Sequence, residues 1–312
     1  MTRLTTNEIQ IHGSVEPGFE SVSALFEKNM RHLEERHNQL CIYHQGKPVV
    51  DLWASAVDDP AFSADSLVNI FSSGKSFEAI AIAWAFDQNL IDYDAPIADY
   101  WPEFAANGKA SLTVAELMRH EAGLPAFQTS IEPTDLHTAN IKLNKIGLII
   151  ESHAQTFRPS GSTREYHAIT RGWIVNELFR RVDPAGRTIG EFVEASIYQP
   201  LQADVFVGVK SADLSRVTPV KMLSGKFQFW ESFKPSFMGR RMENNFFQTA
   251  GKLARLVPSM RQRTTKGAPS PFVGMQNIDF FNDPAIVQGE TPSANTNATA
   301  RGLARVAAAM AM

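Results

Sequence analysis

From Ser73 to Asn89 the chain is apolar almost all round a helical wheel. Phe77, Ala79, Ile80, Ala81, Ile82, Ala83, Trp84, Ala85 and Phe86 leave it no polar face. A helix of that kind belongs in the interior of a fold large enough to surround it. The 312 residues, 44% hydrophobic and 20% charged, can supply that interior as one large domain or two intimately packed ones. The entry into this helix reads Phe71-Ser72-Ser73-Gly74-Lys75-Ser76. Positions i and i+3 share a helix face, so Ser72 Oγ and the Lys75 amine can meet without tertiary help. A serine needs a nearby base to become a nucleophile, and a desolvated, neutral lysine can be that base. Free N–H groups and the positive dipole end at the helix start favour a developing negative charge.

The surrounding pattern mixes helices and strands. Residues 19–38 read as an amphipathic helix. Apolar runs at 40–43 and 49–53 flank His44-Gln45-Gly46-Lys47-Pro48, the signature of a β-hairpin. Thr113 and Glu116 form a capping box for a helix over 111–120, terminated by Gly123-Leu124-Pro125. Further helices are expected over 169–181, 186–200 and 300–312, while 211–293 has no assignable pattern.

Several function classes are disfavoured. A net charge of −3 gives no electrostatic reason to expect nucleic acid or an anionic membrane as partner. The single cysteine, Cys41, excludes an intrachain disulfide and reads as a packed strand residue. The first residues carry no apolar signal region, and no window reaches the ~18 apolar residues of a membrane span, so a cytoplasmic protein is expected. Asn297-Ala298-Thr299 matches a glycosylation sequon by chance on this reading. No His, Cys, Asp or Glu set has metal-ligand spacing; His32 and His37 lie on a charged helix face. A phosphate-binding loop is the rival for 69–76, but Asn69 stands where its first glycine belongs, and the intervening residues are bulky.

Three segments occur in the order of one family. Ser72-Ser73-Gly74-Lys75 opens the apolar helix, Leu117-Met118-Arg119-His120-Glu121-Ala122-Gly123-Leu124 follows, and Tyr166-His167-Ala168 lies behind a Pro159-Ser160-Gly161 turn. Over about residues 15–311 the chain resembles the serine β-lactamase-related hydrolases: class C β-lactamases, penicillin-binding-protein-like peptidases and the esterases that share their fold. The resemblance is nearest to the esterase branch around Tyr166 and Gly172-Trp173. It implies an α+β, β-lactamase/transpeptidase-like fold over 1–312, a helical region packed on an antiparallel sheet. The N-terminal helix and hairpin would occupy 15–60, a mainly helical part with the active site 61–299, and the start of a C-terminal helix 300–312. It maps the nucleophile onto Ser72, with Lys75 and Tyr166 jointly moving the proton, and implies no cofactor. His167 is a candidate substrate-binding residue beside Tyr166, and His120 a structural hydrogen-bonder at a helix end. The implied substrate is a small or acyl-chain ester.

Two departures qualify this. The penicillin-active branch carries an Asn two positions after its tyrosine; here Ala168 stands there, which favours ester over β-lactam chemistry. The family's third motif, Lys-Thr-Gly or His-x-Gly, follows a helix like that at 300–312. Thr264-Thr265-Lys266-Gly267 has similar residue types in another order and reads as a loop. The expectation is therefore a fragment, a truncated gene product, or a chain that recovers its sheet from a partner. Its hairpin edge would be unpaired and open to self-association. A catalytically impaired scaffold is the alternative function.

Overall fold

The computed structural model describes residues 3–311 apart from 7, 159–162 and 262–264. The Pro159-Ser160-Gly161 turn and Thr264 thus lie outside the described residues. An N-terminal sheet contains β1 (Ile11–Val15), β2 (His37–His44) and β3 (Lys47–Ser55), all antiparallel in the order β1-β3-β2. The hairpin forms as its turn residues dictate, with Gln45 and Gly46 both at positive φ, 50° and 75°, which matches the twist of the flanking strands. Its register slips between Ile42 and Tyr43, where the partner is Pro48, a residue without an N–H to donate. The hairpin does not stand alone. Residues 11–15 add a strand to β3 that their sequence, without clear alternation, does not announce.

The helix expected over 19–38 stops early. α1 spans Glu20–His32, because Leu33 is extended, and its N–H closes on the Asn29 carbonyl. His37 and Asn38 instead pair with Ser55 and Ala54 in the ladder. α1 packs Phe26 and Met30 onto Val50, Leu52 and Ala54 of the sheet. The final helix, Ala300–Met310, lies beside β2, with Arg301 paired to Asp51 at 2.6 Å.

A second antiparallel sheet joins β4 (Val68–Asn69), β5 (Val205–Val207) and β6 (Thr296–Ala298) in the order β4-β6-β5. Strands of two or three residues are too short to show a period of two. β6 is also polar, although Thr296 and Asn297 are buried. The sequon asparagine thus lies inside this sheet. The sheet matters because it brings the 293–298 segment against the chain entering Ser72.

The apolar helix α2 spans Lys75–Asp87 after a 3₁₀ turn over Phe71–Gly74. Its inner face, Phe77, Ala81, Ile82 and Ala85, enters the main core with Trp101, Trp173 and Phe179. It is not buried all round. Ala79, Ala83 and Phe86 are exposed, and its outer side forms an apolar groove of about 520 Å³ with Leu303, Val306 and Met310 of the final helix. α3 spans Val114–Met118 with the Thr113–Glu116 capping box in place. It ends before Gly123, since His120 turns left-handed at φ 65°. α4 spans Thr170–Val182. The helix expected over 186–200 is interrupted: Ile189–Val193, a π turn over Glu194–Tyr198, then Gln199–Leu201. The unassigned stretch contains the helices Gly225–Phe233 and Phe246–Arg261. No helix among the described residues is long and apolar enough to cross a membrane.

Candidate active site

The 3₁₀ turn puts Ser72 on an exposed corner. Phe71 enters it at φ 45°, and its N–H donates to Asn69 Oδ1 at 2.7 Å, a side-chain bond that helps hold an unfavourable backbone conformation. Gly74 is required by packing, because a Cβ there would lie 2.2 Å from the Pro292 carbonyl oxygen and 2.3 Å from Thr296 Oγ1. The glycine of the Gly-Lys-Ser run therefore serves close contact with the second sheet.

Tyr166 Oη donates to Ser72 Oγ at 2.7 Å, across 94 positions of sequence. Lys75 does not take that bond. Its Nζ donates to the carbonyls of Ala168, at 2.7 Å, and Ser293, at 3.0 Å. The amine also lies 4.8 Å from the centroid of the Tyr166 ring. A half-buried ammonium needs acceptors, and two backbone oxygens supply them. Ser72 and Lys75 thus converge on Tyr166, which is 51% exposed.

The proton affinities follow from this packing. Burial holds the Lys75 amine below the ordinary lysine value, helped by Arg171 and opposed by Tyr166 and Glu78. Burial alone would raise the Tyr166 phenol. Hydrogen bonds to Ser72 and Lys75, and the charges of Lys75 and Arg171, outweigh it and leave the phenol below the usual range. Both groups thus hold their protons less tightly than an ordinary lysine or tyrosine does.

His167, the candidate substrate-binding residue, lies in the interior beside Tyr166. It is fully buried, its Nε2 accepts from the Leu124 N–H at 2.9 Å, and its Nδ1 pairs with the Glu165 carbonyl at 2.6 Å. Both ring nitrogens are spent on backbone groups, so His167 is a strut beneath Tyr166. Burial lowers its pKa to about 4. His120 sits at the end of α3, where its Nδ1 accepts from the His167 N–H at 3.1 Å and its ring lies 4.9 Å from that of Tyr166. Burial and the Arg171 charge bring it down to about 3.

Sequence reasoning passed over three neighbours: Glu78, Arg171 and Ser293. Glu78 is one turn beyond Lys75 and fully buried, and Arg171 lies in the first turn of α4. A glutamate within an otherwise apolar helix was the available signal, since a buried carboxylate needs a partner. On its other side the site adjoins a cavity of about 200 Å³ lined by Pro125, Phe127, Ala168, Ile169, Trp173 and Pro269. The Thr265-Lys266-Gly267 turn reaches its rim through Thr265. No cluster of metal-ligating side chains occurs among the described residues.

Comparison with known proteins matches residues 24–312 to the family model described as Beta-lactamase. The chain is 31% identical over 314 residues to esterase/beta-lactamase LipL of Mycobacterium tuberculosis (strain ATCC 25618 / H37Rv). That match covers 97% of this chain but 65% of the relative. Among solved structures, a family VIII carboxylesterase superposes with a TM-score of 0.70 at 27% identity, covering 95% of this chain and 70% of that one. A penicillin-binding protein homolog from Caulobacter crescentus gives a TM-score of 0.67 at 28% identity, with coverages of 95% and 70%. These likenesses agree with the geometry in giving a β-lactamase/transpeptidase-like fold.

Proposed function

Because the chain belongs to the β-lactamase family, we propose that it is a serine ester hydrolase acting through an acyl-enzyme on Ser72. The observation that carries this reading is the 2.7 Å bond from Tyr166 to Ser72, with Lys75 against the same phenol. As Ser72 Oγ bonds to the ester carbonyl carbon, its proton passes to the Tyr166–Lys75 pair. The tetrahedral oxyanion then collapses, the bond to the alcohol oxygen breaks, and the leaving alkoxide takes that proton. A water deprotonated by the same pair adds to the acyl carbon, and release of the acid returns the proton to Ser72. The Ser72 N–H, at the helix entrance, is the proposed oxyanion donor.

Two features support an ester over a β-lactam. Ala168 offers no side-chain amide to a substrate, and the cavity beside it is mostly apolar, suited to an acyl chain. Among the relatives, the family VIII carboxylesterase is named for ester hydrolysis alone, while LipL is named for both activities. Assay with a series of p-nitrophenyl esters and a chromogenic cephalosporin tests the proposal. Ester turnover is expected to exceed β-lactam turnover and to disappear in Ser72→Ala. Turnover retained in Ser72→Ala, or a preference for the cephalosporin, contradicts the reading.

A further inference from the structure

Behind the Ser72 corner lies a buried ion pair that the reaction just described does not use. Glu78 Oε2 accepts from Arg171 Nε at 2.8 Å, with the carboxylate fully buried and the guanidinium nearly so. Each partner reaches one side of the proton-transfer pair. Glu78 Oε1 accepts from Ser293 Oγ at 2.5 Å, and the carbonyl of that serine receives the Lys75 amine. Arg171 Nη1 donates to the Met118 carbonyl at 3.0 Å and lies 3.1 Å from Nε2 of His120, the ring packed beside Tyr166. The fit around the pair is close: a Cβ on Gly172 would come within 2.7 Å of the Ser293 nitrogen and 2.9 Å of Glu78 Oε1.

We propose that the Glu78–Arg171 pair is the positioning device of this site, clamping Ser293 and His120 so that Lys75 and Tyr166 hold register on Ser72. Isolated charges this deep would be costly, and their pairing puts two opposite charges within reach of one amine. The ionisable groups facing Lys75 are Glu78 from its own helix, Tyr166 from the loop before α4, Arg171 from α4 and His120 from the turn after α3. The 293–298 segment contributes the Ser293 carbonyl. The Glu78 charge favours the ammonium form of Lys75, and the Arg171 charge disfavours it. Removing one charge at a time should therefore move the Lys75 titration in opposite directions.

This inference rests on Lys75 acting as base, so its test separates the two ideas. Glu78→Gln and Arg171→Met are compared with wild type in two readouts. One is the titration of Lys75 itself by NMR of ¹³Cε-labelled lysine, assigned through Lys75→Ala. The other is the pH dependence of fluorophosphonate labelling at Ser72. In Glu78→Gln the Lys75 titration and the rising limb of labelling are expected at lower pH. In Arg171→Met both are expected at higher pH. At a fixed pH on that limb, labelling should differ between the two variants by about tenfold. Arg171→Lys, which keeps the charge, is expected to restore the wild-type limb. Should either single variant fail to fold, Glu78→Gln/Arg171→Met, with no lone buried charge, is expected to fold and to label Ser72 more slowly than wild type. Folded variants whose limbs do not move, or move the same way, overturn the proposal. Absence of labelling in wild type would refute the hydrolase reading, while the NMR titration still decides this one.

Discussion

Two fully buried carboxylates, Glu78 and Glu290, meet the same problem in different ways. Glu290 is surrounded by neutral donors: Thr138 and Thr188 hydroxyls at 2.6 and 2.8 Å, the Asn176 amide at 3.0 Å and the Gly190 N–H at 3.1 Å. It ties segments from four parts of the chain into one knot. Glu78 instead meets a cation, Arg171, and a single hydroxyl, Ser293. Burial pushes both carboxyls up; the Arg171 charge first and then hydrogen bonds oppose this at Glu78, while hydrogen bonds from neutral donors oppose it at Glu290. The contrast shows that burial by itself does not mark a functional acid. What sets Glu78 apart is a paired opposite charge, Arg171, and links on either side: one reaches Lys75 through Ser293, the other reaches His120, the ring beside Tyr166.

The largest expected effect on this comparison is thermodynamic. Glu290→Ala strips the acceptor from buried donors and should destabilise the fold by about 3 kcal/mol or more, read from urea unfolding. The folded fraction should keep the wild-type pH limb for labelling at Ser72. A limb displaced as in Glu78→Gln would erase the distinction between the two carboxylates.

A smaller effect separates the Arg171 side by pH. His120 and His167 have folded pKa values of about 3 and about 4, below the ordinary 6.5. Between those values and 6.5 the unfolded chain binds protons that the folded chain does not. Stability supplied by the two histidines is therefore present above pH 6.5 and lost as pH falls toward their folded values. Unfolding midpoints measured from pH 7 to 4 should fall, and His120→Gln should flatten the slope in part. A wild-type midpoint that is constant from pH 7 to 5 would contradict this assignment.

The meeting of Ser72, Lys75 and Tyr166 is legible in sequence because its signals are local or nearly so. Ser72 and Lys75 sit one turn apart at the mouth of an apolar helix, and Tyr166 closes a segment with its own turn residues. The expected direct contact of Ser72 with Lys75 gave way to a bond through Tyr166, since the lysine's own need for acceptors turned it toward Ala168 and Ser293. His167 was misread for a related reason. A histidine next to Tyr166 looks accessible in sequence, while the fold uses both its nitrogens on backbone.

The clamp was hidden because Glu78 finds Arg171 93 positions away and Ser293 215 positions away. No spacing rule spans such gaps. The same holds for the β4-β6-β5 sheet, whose short strands acquire meaning only from each other. Periodicity did find the hairpin and α4, but it overran the end of α1 and took the alanine-rich outer side of α2 for a buried surface.

The central claim is that Ser72 is a nucleophile made reactive by Tyr166 and Lys75. Incubation of the folded protein with a fluorophosphonate, followed by peptide mapping, tests it most directly. The account predicts one covalent adduct on the Ser72 peptide, formed about 10²-fold or more slowly in Tyr166→Phe and Lys75→Met. No adduct, an adduct on another serine, or equal rates in those variants would contradict it.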